Sequence, residues 1–105
     1  MEFIETGIFT KKLSGRLSDE GYSDLQRFLA GYPEVGRLIR GTHGLRKVRW
    51  TSPLKSQGKR GGVRVIYYRF SAQRIYMLDI YRKDEQDNLS IEQLRILCRH
   101  VKGSA

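Results

Sequence analysis

The stretch Gly41–Tyr68, GTHGLRKVRWTSPLKSQGKRGGVRVIYY, decides how the chain is read. Strand side chains alternate between faces every two residues. Over Leu45–Thr51 that rule puts Val48 and Trp50 on one side and Lys47 and Arg49 on the other. Val63–Phe70 is rich in β-branched and aromatic residues, which suit a packed, pleated surface. Between the two, Ser52-Pro53 breaks the first strand. Gly58, Gly61 and Gly62 permit tight or left-handed backbone, and Lys55, Lys59 and Arg60 make the connection basic. Arg74–Tyr81 predicts a third strand after a tight turn near Ser71-Ala72-Gln73, so the last two strands form an antiparallel hairpin.

Upstream, Phe3–Phe9 alternates and predicts a first strand, with apolar residues on both faces as in a central position. Lys11–Leu17 reads as a short helical turn or loop. Ser18 is placed to cap a helix whose first turn carries Asp19 and Glu20, acids that suit the positive end of the helix dipole. Tyr22, Leu25, Phe28, Leu29 and Tyr32 recur at helical spacing and predict one buried stripe, which Gly31 and Pro33 end. Gly36–Thr42 leads back to the sheet through Leu38 and Ile39. Downstream, Ser90 and Gln93 have capping-box spacing. Ile91, Leu94, Leu97, Cys98 and Val101 predict the apolar stripe of a last helix. Helices followed by consecutive strands predict an α+β fold, an antiparallel sheet with helices packed against it.

Charge is segregated along the chain. From Val35 to Leu78 there is no Asp or Glu, while eleven Arg and Lys residues stand in that span. The whole chain has 20 basic and 11 acidic residues, so outside the block 9 basic face 11 acidic, a net of −2. The net charge of +9 thus originates in the middle. Unopposed charge on this scale repels itself in a compact fold, which points to an anionic partner, nucleic acid before a membrane surface. At 105 residues the chain is one domain, 1–105, with no apolar run of membrane-spanning length. The acidic N-terminus lacks a signal-peptide layout, and a cytoplasmic location is expected. One cysteine allows no internal disulfide. Two distant histidines and that cysteine make no metal-ligand cluster, and no cofactor motif is present; GKRGG leads into a strand and is not a P-loop.

Within the basic block Lys47, Arg49 and Arg64 stand out. Lys47 and Arg49 share a strand face, and Arg64 opens the next strand. Three converging cations suit a phosphate and the charge that builds on it during cleavage. A lysine among like charges has a lowered pKa and is a candidate base. The alternative is three exposed strand charges without chemistry, and spacing leaves both open. Arg46, Lys55, Lys59 and Arg60 are candidate nucleic-acid contacts, and charge alone leaves DNA and RNA both open. Tyr81, at a strand end beside Arg82 and Lys83, suits a ligand better than Tyr67, Tyr68 and Tyr76, which read as sheet core. His43 reads as a turn residue, Trp50 as core, and Cys98 as a buried thiol.

The runs GTHGLRKVRW, GKRGGVRVIYY and YMLDIYRKDE, in order and followed by Asn88-Leu89-Ser90 before a helix, resemble the RelE/HigB superfamily of bacterial type II toxins. The similarity is to the HigB-like branch and covers roughly residues 36–97. It implies a RelE-like α+β domain with a curved antiparallel sheet, N-terminal helices packed on it and a C-terminal helix. It implies a ribosome-dependent mRNA endonuclease, or mRNA interferase, that cuts translated message at the A site without metal, by 2′-hydroxyl attack giving a 2′,3′-cyclic phosphate. Its partners would be the ribosome through its RNA, the mRNA, and a cognate antitoxin of helix-turn-helix, HigA-like type. Carried over by position, Lys47 and Arg49 match the basic strand pair and Arg64 the arginine that holds the scissile phosphate. Lys83 falls where RelE has a leaving-group arginine, and Tyr81 is the candidate to stand in for a late catalytic tyrosine. A non-catalytic RNA-binding or ribosome-binding module, and a gyrase-inhibiting toxin of the ParE type, are the rival functions.

Overall fold

The computed structural model describes residues 1–51 and 62–104, with side chains as far as 101. Lys55, Lys59 and Arg60, with Gly58 and Gly61, lie outside the described residues. The elements run β1 Glu2–Glu5, α1 Gly7–Leu13, α2 Asp19–Gly31, β2 Arg37–Leu38, β3 Leu45–Trp50, β4 Val63–Ser71, β5 Arg74–Arg82 and α3 Ile91–Ser104. The strands form one sheet in the order β1-β5-β4-β3-β2. Neighbours from β2 to β5 are antiparallel, as the hairpin reading requires. β1 lies parallel to β5 at the edge, so the sheet is mixed and its first strand is not central.

The predicted strand over Phe3–Phe9 is a strand and a helix. Thr6 divides them: its side chain caps α1 by accepting from the Phe9 N–H at 3.0 Å, and its hydroxyl donates to the Leu78 carbonyl at 2.9 Å. Apolar residues at 3, 4, 8 and 9 satisfy an alternating pattern and a helical one alike, and the cap makes the choice. α2 begins where its signals indicate, with the Ser18 hydroxyl accepting from Gly21 N at 2.9 Å. Leu25 and Leu29 are fully buried, whereas Tyr32, expected in the stripe, is the C-cap and is exposed. The capping box of α3 is reciprocal: Gln93 N donates to Ser90 Oγ at 3.1 Å, and Ser90 N to Gln93 Oε1 at 2.8 Å. Ile91, read as part of the buried stripe, is exposed, and Leu97 is the buried anchor of α3.

Apolar side chains cover both faces of the sheet. Val48, Val63, Val65, Tyr67, Ile75 and Met77 pack against Phe9, Leu25 and Leu29 of α1 and α2. On the other face Leu45, Ile66, Tyr76, Leu78 and Tyr81 gather with Leu97 of α3. A register shift between Ile66 and Tyr67 inserts a bulge into the β4–β5 pair, which bends and twists the ladder. Beside it the buried Asp79 is neutralised by Lys12 of α1 at 2.9 Å. The Trp50 indole donates to Gly21 O at 3.1 Å and ties β3 to α2. No helix among the described residues is long and apolar enough to cross a membrane.

Candidate functional site

The sheet register assembles a row of side chains that are far apart in sequence. Arg49 pairs directly with Arg64, and Arg64 with Tyr81, so β3, β4 and β5 each contribute one residue. Lys47 lies two residues from Arg49 on the same face. Its cross-strand neighbour on β2 is Arg37. Four cations, Arg37, Lys47, Arg49 and Arg64, therefore share one face of the sheet, beside the end of it that α3 covers. Like charges directly opposite one another destabilise an antiparallel pair. Arg64 is only 6% exposed, so its side chain is held within the sheet surface, whereas Arg49 is exposed and Lys47 half-buried. A group bound from solvent meets Arg49 and Lys47 first and Arg64 behind them.

Lys47 is shifted by its surroundings. Burial lowers its pKa, and Arg64, Arg37 and Arg49 lower it further. Its Nζ donates to Asn88 Oδ1 at 2.8 Å. Tyr81 is nearly inaccessible, and its hydroxyl has no hydrogen-bond partner among the described residues. Burial raises its pKa against the opposing pull of Arg64, so the phenol stays protonated at neutral pH. A buried donor without an acceptor is costly.

Lys83 is not part of the strand row; it is exposed in the turn that follows β5. That turn is held from both sides. Glu85 Oε1 accepts from Arg82 N at 2.7 Å, and Arg16, at the junction of α1 and α2, grips the same carboxylate with Nε at 2.8 Å and with Nη2. Arg16, then the Arg82 N–H, holds the Glu85 carboxyl down at about 2.

Arg46 does not join the other cations. It projects to the face of α1 and α2, where Nη1 donates to Gly36 O at 2.7 Å and Glu34 O at 3.0 Å. The placement follows from strand alternation, because a residue between Lys47 and Leu45 cannot share their face. Arg69 and Arg74, also in the acid-free block, pair with Glu34 and Glu2. Carboxylates from outside the block thus neutralise part of it, while the row around Arg64 is concentrated on one face. His43 stands in the β2–β3 turn with a φ of 59°. It borders a separate pocket of about 710 Å³ between that turn and α3, away from the row. Sequence reasoning passed over Arg37 and Asn88. Arg37 is visible as one more arginine of the block, but nothing local announces its pairing with Lys47. Asn88 lies in a polar loop and becomes notable only through the lysine it meets.

No family model matches the chain. Its structure is similar to that of the Escherichia coli toxin RelE, solved in the free state as a double arginine-to-alanine mutant, with a TM-score of 0.59. The likeness extends over 95% of this chain and 96% of that one at 13% sequence identity. The α+β architecture is accordingly a RelE-like fold.

Proposed function

We propose that this protein is the toxin of a type II toxin–antitoxin system, an endoribonuclease of the HigB-like branch that cuts translated mRNA on the ribosome. The observation that carries the proposal is the row Arg49–Arg64–Tyr81 with Lys47 beside it: paired cations and an orphaned phenol on one sheet face of a RelE-like fold. The ligand that suits this row is a phosphodiester.

In the proposed reaction the 2′-hydroxyl gives its proton to Lys47, whose lowered pKa raises the fraction of neutral amine. The 2′-oxygen attacks the adjacent phosphorus, and the bond to the 5′-oxygen breaks. The products are a 2′,3′-cyclic phosphate and a 5′-hydroxyl, and no redox partner or metal is required. Arg64 holds the phosphoryl oxygens as negative charge grows on them, and Arg49 assists from the solvent side. Tyr81 donates its unpartnered hydroxyl to the same group. Lys83 gives a proton to the leaving 5′-oxygen. Lys55, Lys59 and Arg60 bind phosphates of ribosomal RNA, which makes association salt-dependent. The partners under this proposal are the ribosome, the mRNA and a helix-turn-helix antitoxin of HigA-like type, and the site of action is the cytoplasm.

The test is 5′-end mapping of messages in a bacterial host after brief induction of the wild type and of Arg64→Ala. The expected result is new ends within translated frames, lost in the variant and lost when initiation is blocked. Losing one such oxyanion contact should lower cleavage by about 10²–10³-fold. Growth arrest without new ends would overturn the nuclease in favour of gyrase inhibition or ribosome binding. Undiminished cleavage by Arg64→Ala would overturn the role of Arg64.

A further inference from the structure

The loop between β5 and α3 reaches Lys47 through one amide. Asn88 Oδ1 accepts from Lys47 Nζ at 2.8 Å. The same residue's backbone carbonyl accepts from Gln86 Nε2 at 2.9 Å, and that amide also donates to Gln93 Oε1 at 3.0 Å. Gln93 Oε1 is in turn the acceptor for Ser90 N in the α3 capping box. A continuous set of hydrogen bonds therefore runs from the start of α3 to the amine on β3. On its other side the loop is fixed by Arg16 and Glu85.

We propose that Asn88 is a positioning residue for Lys47, a neutral acceptor that fixes the direction of the amine beside Arg64 without supplying the negative charge that would lock it as an ammonium ion. This rests on the reading of Lys47 as the base of a phosphodiester cleavage. Asn88 acts through Lys47 and does not itself touch the reacting atoms.

The physical case is one of residue choice. Among the described residues, Arg64 on β4, Arg37 on β2 and Arg49 on β3 act on Lys47, and Asn88 meets it from the loop; Asp87, the acid before Asn88 in that loop, acts on Tyr81. Where a lysine serves only as a fixed positive charge, a carboxylate at 2.8 Å is the stabilising partner. A lysine that must accept a proton needs a partner that bonds to the amine and the ammonium alike. An amide oxygen accepts from either form, and the three arginines favour the neutral one. Asn88 also occupies one N–H, so the amine has one rotational position in place of several. The gain is orientation, which hydrogen-bonded positioning supplies at little further entropic cost on binding.

The measurement uses the full chain and two readouts. The first is the titration of Lys47 itself, followed through its side-chain Cε and Nζ resonances, assigned by their absence in Lys47→Arg. It requires no catalysis. Asn88→Asp places a carboxylate against the amine and should move the Lys47 midpoint upward by about one pH unit or more. An unchanged midpoint would overturn the proposal whatever the protein's activity. The second is the pH profile of RNA cleavage on translating ribosomes. Lys47 as base makes the rate rise with pH through its midpoint, so in Asn88→Asp the rising limb should move to higher pH by the same interval. At a pH below both midpoints the rate should fall about tenfold for each unit moved. Asn88→Ala should lower kcat with little change in KM, because it loosens the amine without adding charge. A midpoint that moves while the cleavage profile does not would show Asn88 holding Lys47 without a part in the reaction, and would overturn the positioning role. Absence of cleavage by the wild type, with the Lys47 midpoint displaced in Asn88→Asp, would overturn the nuclease reading and leave the Asn88–Lys47 coupling established.

Discussion

Replacing Tyr67 by Phe removes one oxygen and unties two parts of the fold. Tyr67 is fully buried in β4, and its hydroxyl accepts from Gly36 N at 2.9 Å and donates to Pro33 O at 2.9 Å. Through that atom the turn leading from α2 into β2 is fastened to the sheet, next to Arg37. In Tyr67→Phe the Gly36 N–H is left buried without this partner, at a cost of about 1–3 kcal/mol. The Pro33 carbonyl is less enclosed, and water can replace its lost donor, so its contribution is about 0.5 kcal/mol. The ring keeps its packing, and no cavity of consequence forms. The expected loss is about 2 kcal/mol, or roughly 10 °C in Tm for a domain of this length. Urea unfolding followed by the fluorescence of Trp50 reads it directly, because that indole packs on the same core. A loss below about 0.5 kcal/mol with an unchanged m-value would refute the reasoning. It would mean that Gly36 N finds another acceptor when the phenol oxygen is gone.

Two further outcomes follow from the same geometry. Glu85, held at about 2 by Arg16, has a folded-state pKa below its unfolded value, so its contribution is present above the usual glutamate range and is lost as pH falls toward 2. The full displacement corresponds to about 3 kcal/mol, but both side chains are partly exposed, and screening reduces the net figure to about 1 kcal/mol. Glu85→Gln should therefore be less stable than wild type by that amount at pH 7 and converge with it as pH falls through about 2, as urea midpoints across the range will show. Gly62, at the entry to β4, has a φ of 55°, and a Cβ there would lie 2.1 Å from the Trp50 carbonyl oxygen. Gly62→Ala should cost about 3 kcal/mol or more, from left-handed strain and a backbone clash together. Because the strained pair borders Arg49 and Arg64, the cleavage proposed above should fall with it; wild-type stability in thermal melts would contradict the clash.

How much of this protein is legible along the chain depends on the range of the interaction concerned. Alternation in LRKVRW and the β-branched run VRVIYY placed β3 and β4, and Ala72-Gln73 closed the hairpin to β5, because pleat and turn chemistry act within a few residues. Ser18 and the Ser90–Gln93 box marked two helix starts for the same reason. The shared face of Lys47 and Arg49 was equally local. The division at Thr6 was not legible, since four apolar residues fitted two periods and the cap was needed to separate them. Nor was the parallel pairing of β1 with β5, which joins residues more than seventy positions apart.

The site shows the same division. Composition and order along the chain established an acid-free basic block, and within it marked Lys47, Arg49 and Arg64 as candidates. Only the register of the sheet decided that Arg49 faces Arg64, that Arg64 faces Tyr81, and that Arg46 is turned away to bind backbone carbonyls. Arg37 and Asn88 entered the same way, one across a strand pair and one from a loop forty-one residues after Lys47. Charge is a property each residue carries from the start, whereas proximity arises when non-local hydrogen bonds set the strands against one another. A sequence can therefore concentrate positive charge in one block, but which of those cations stand together belongs to the folded sheet.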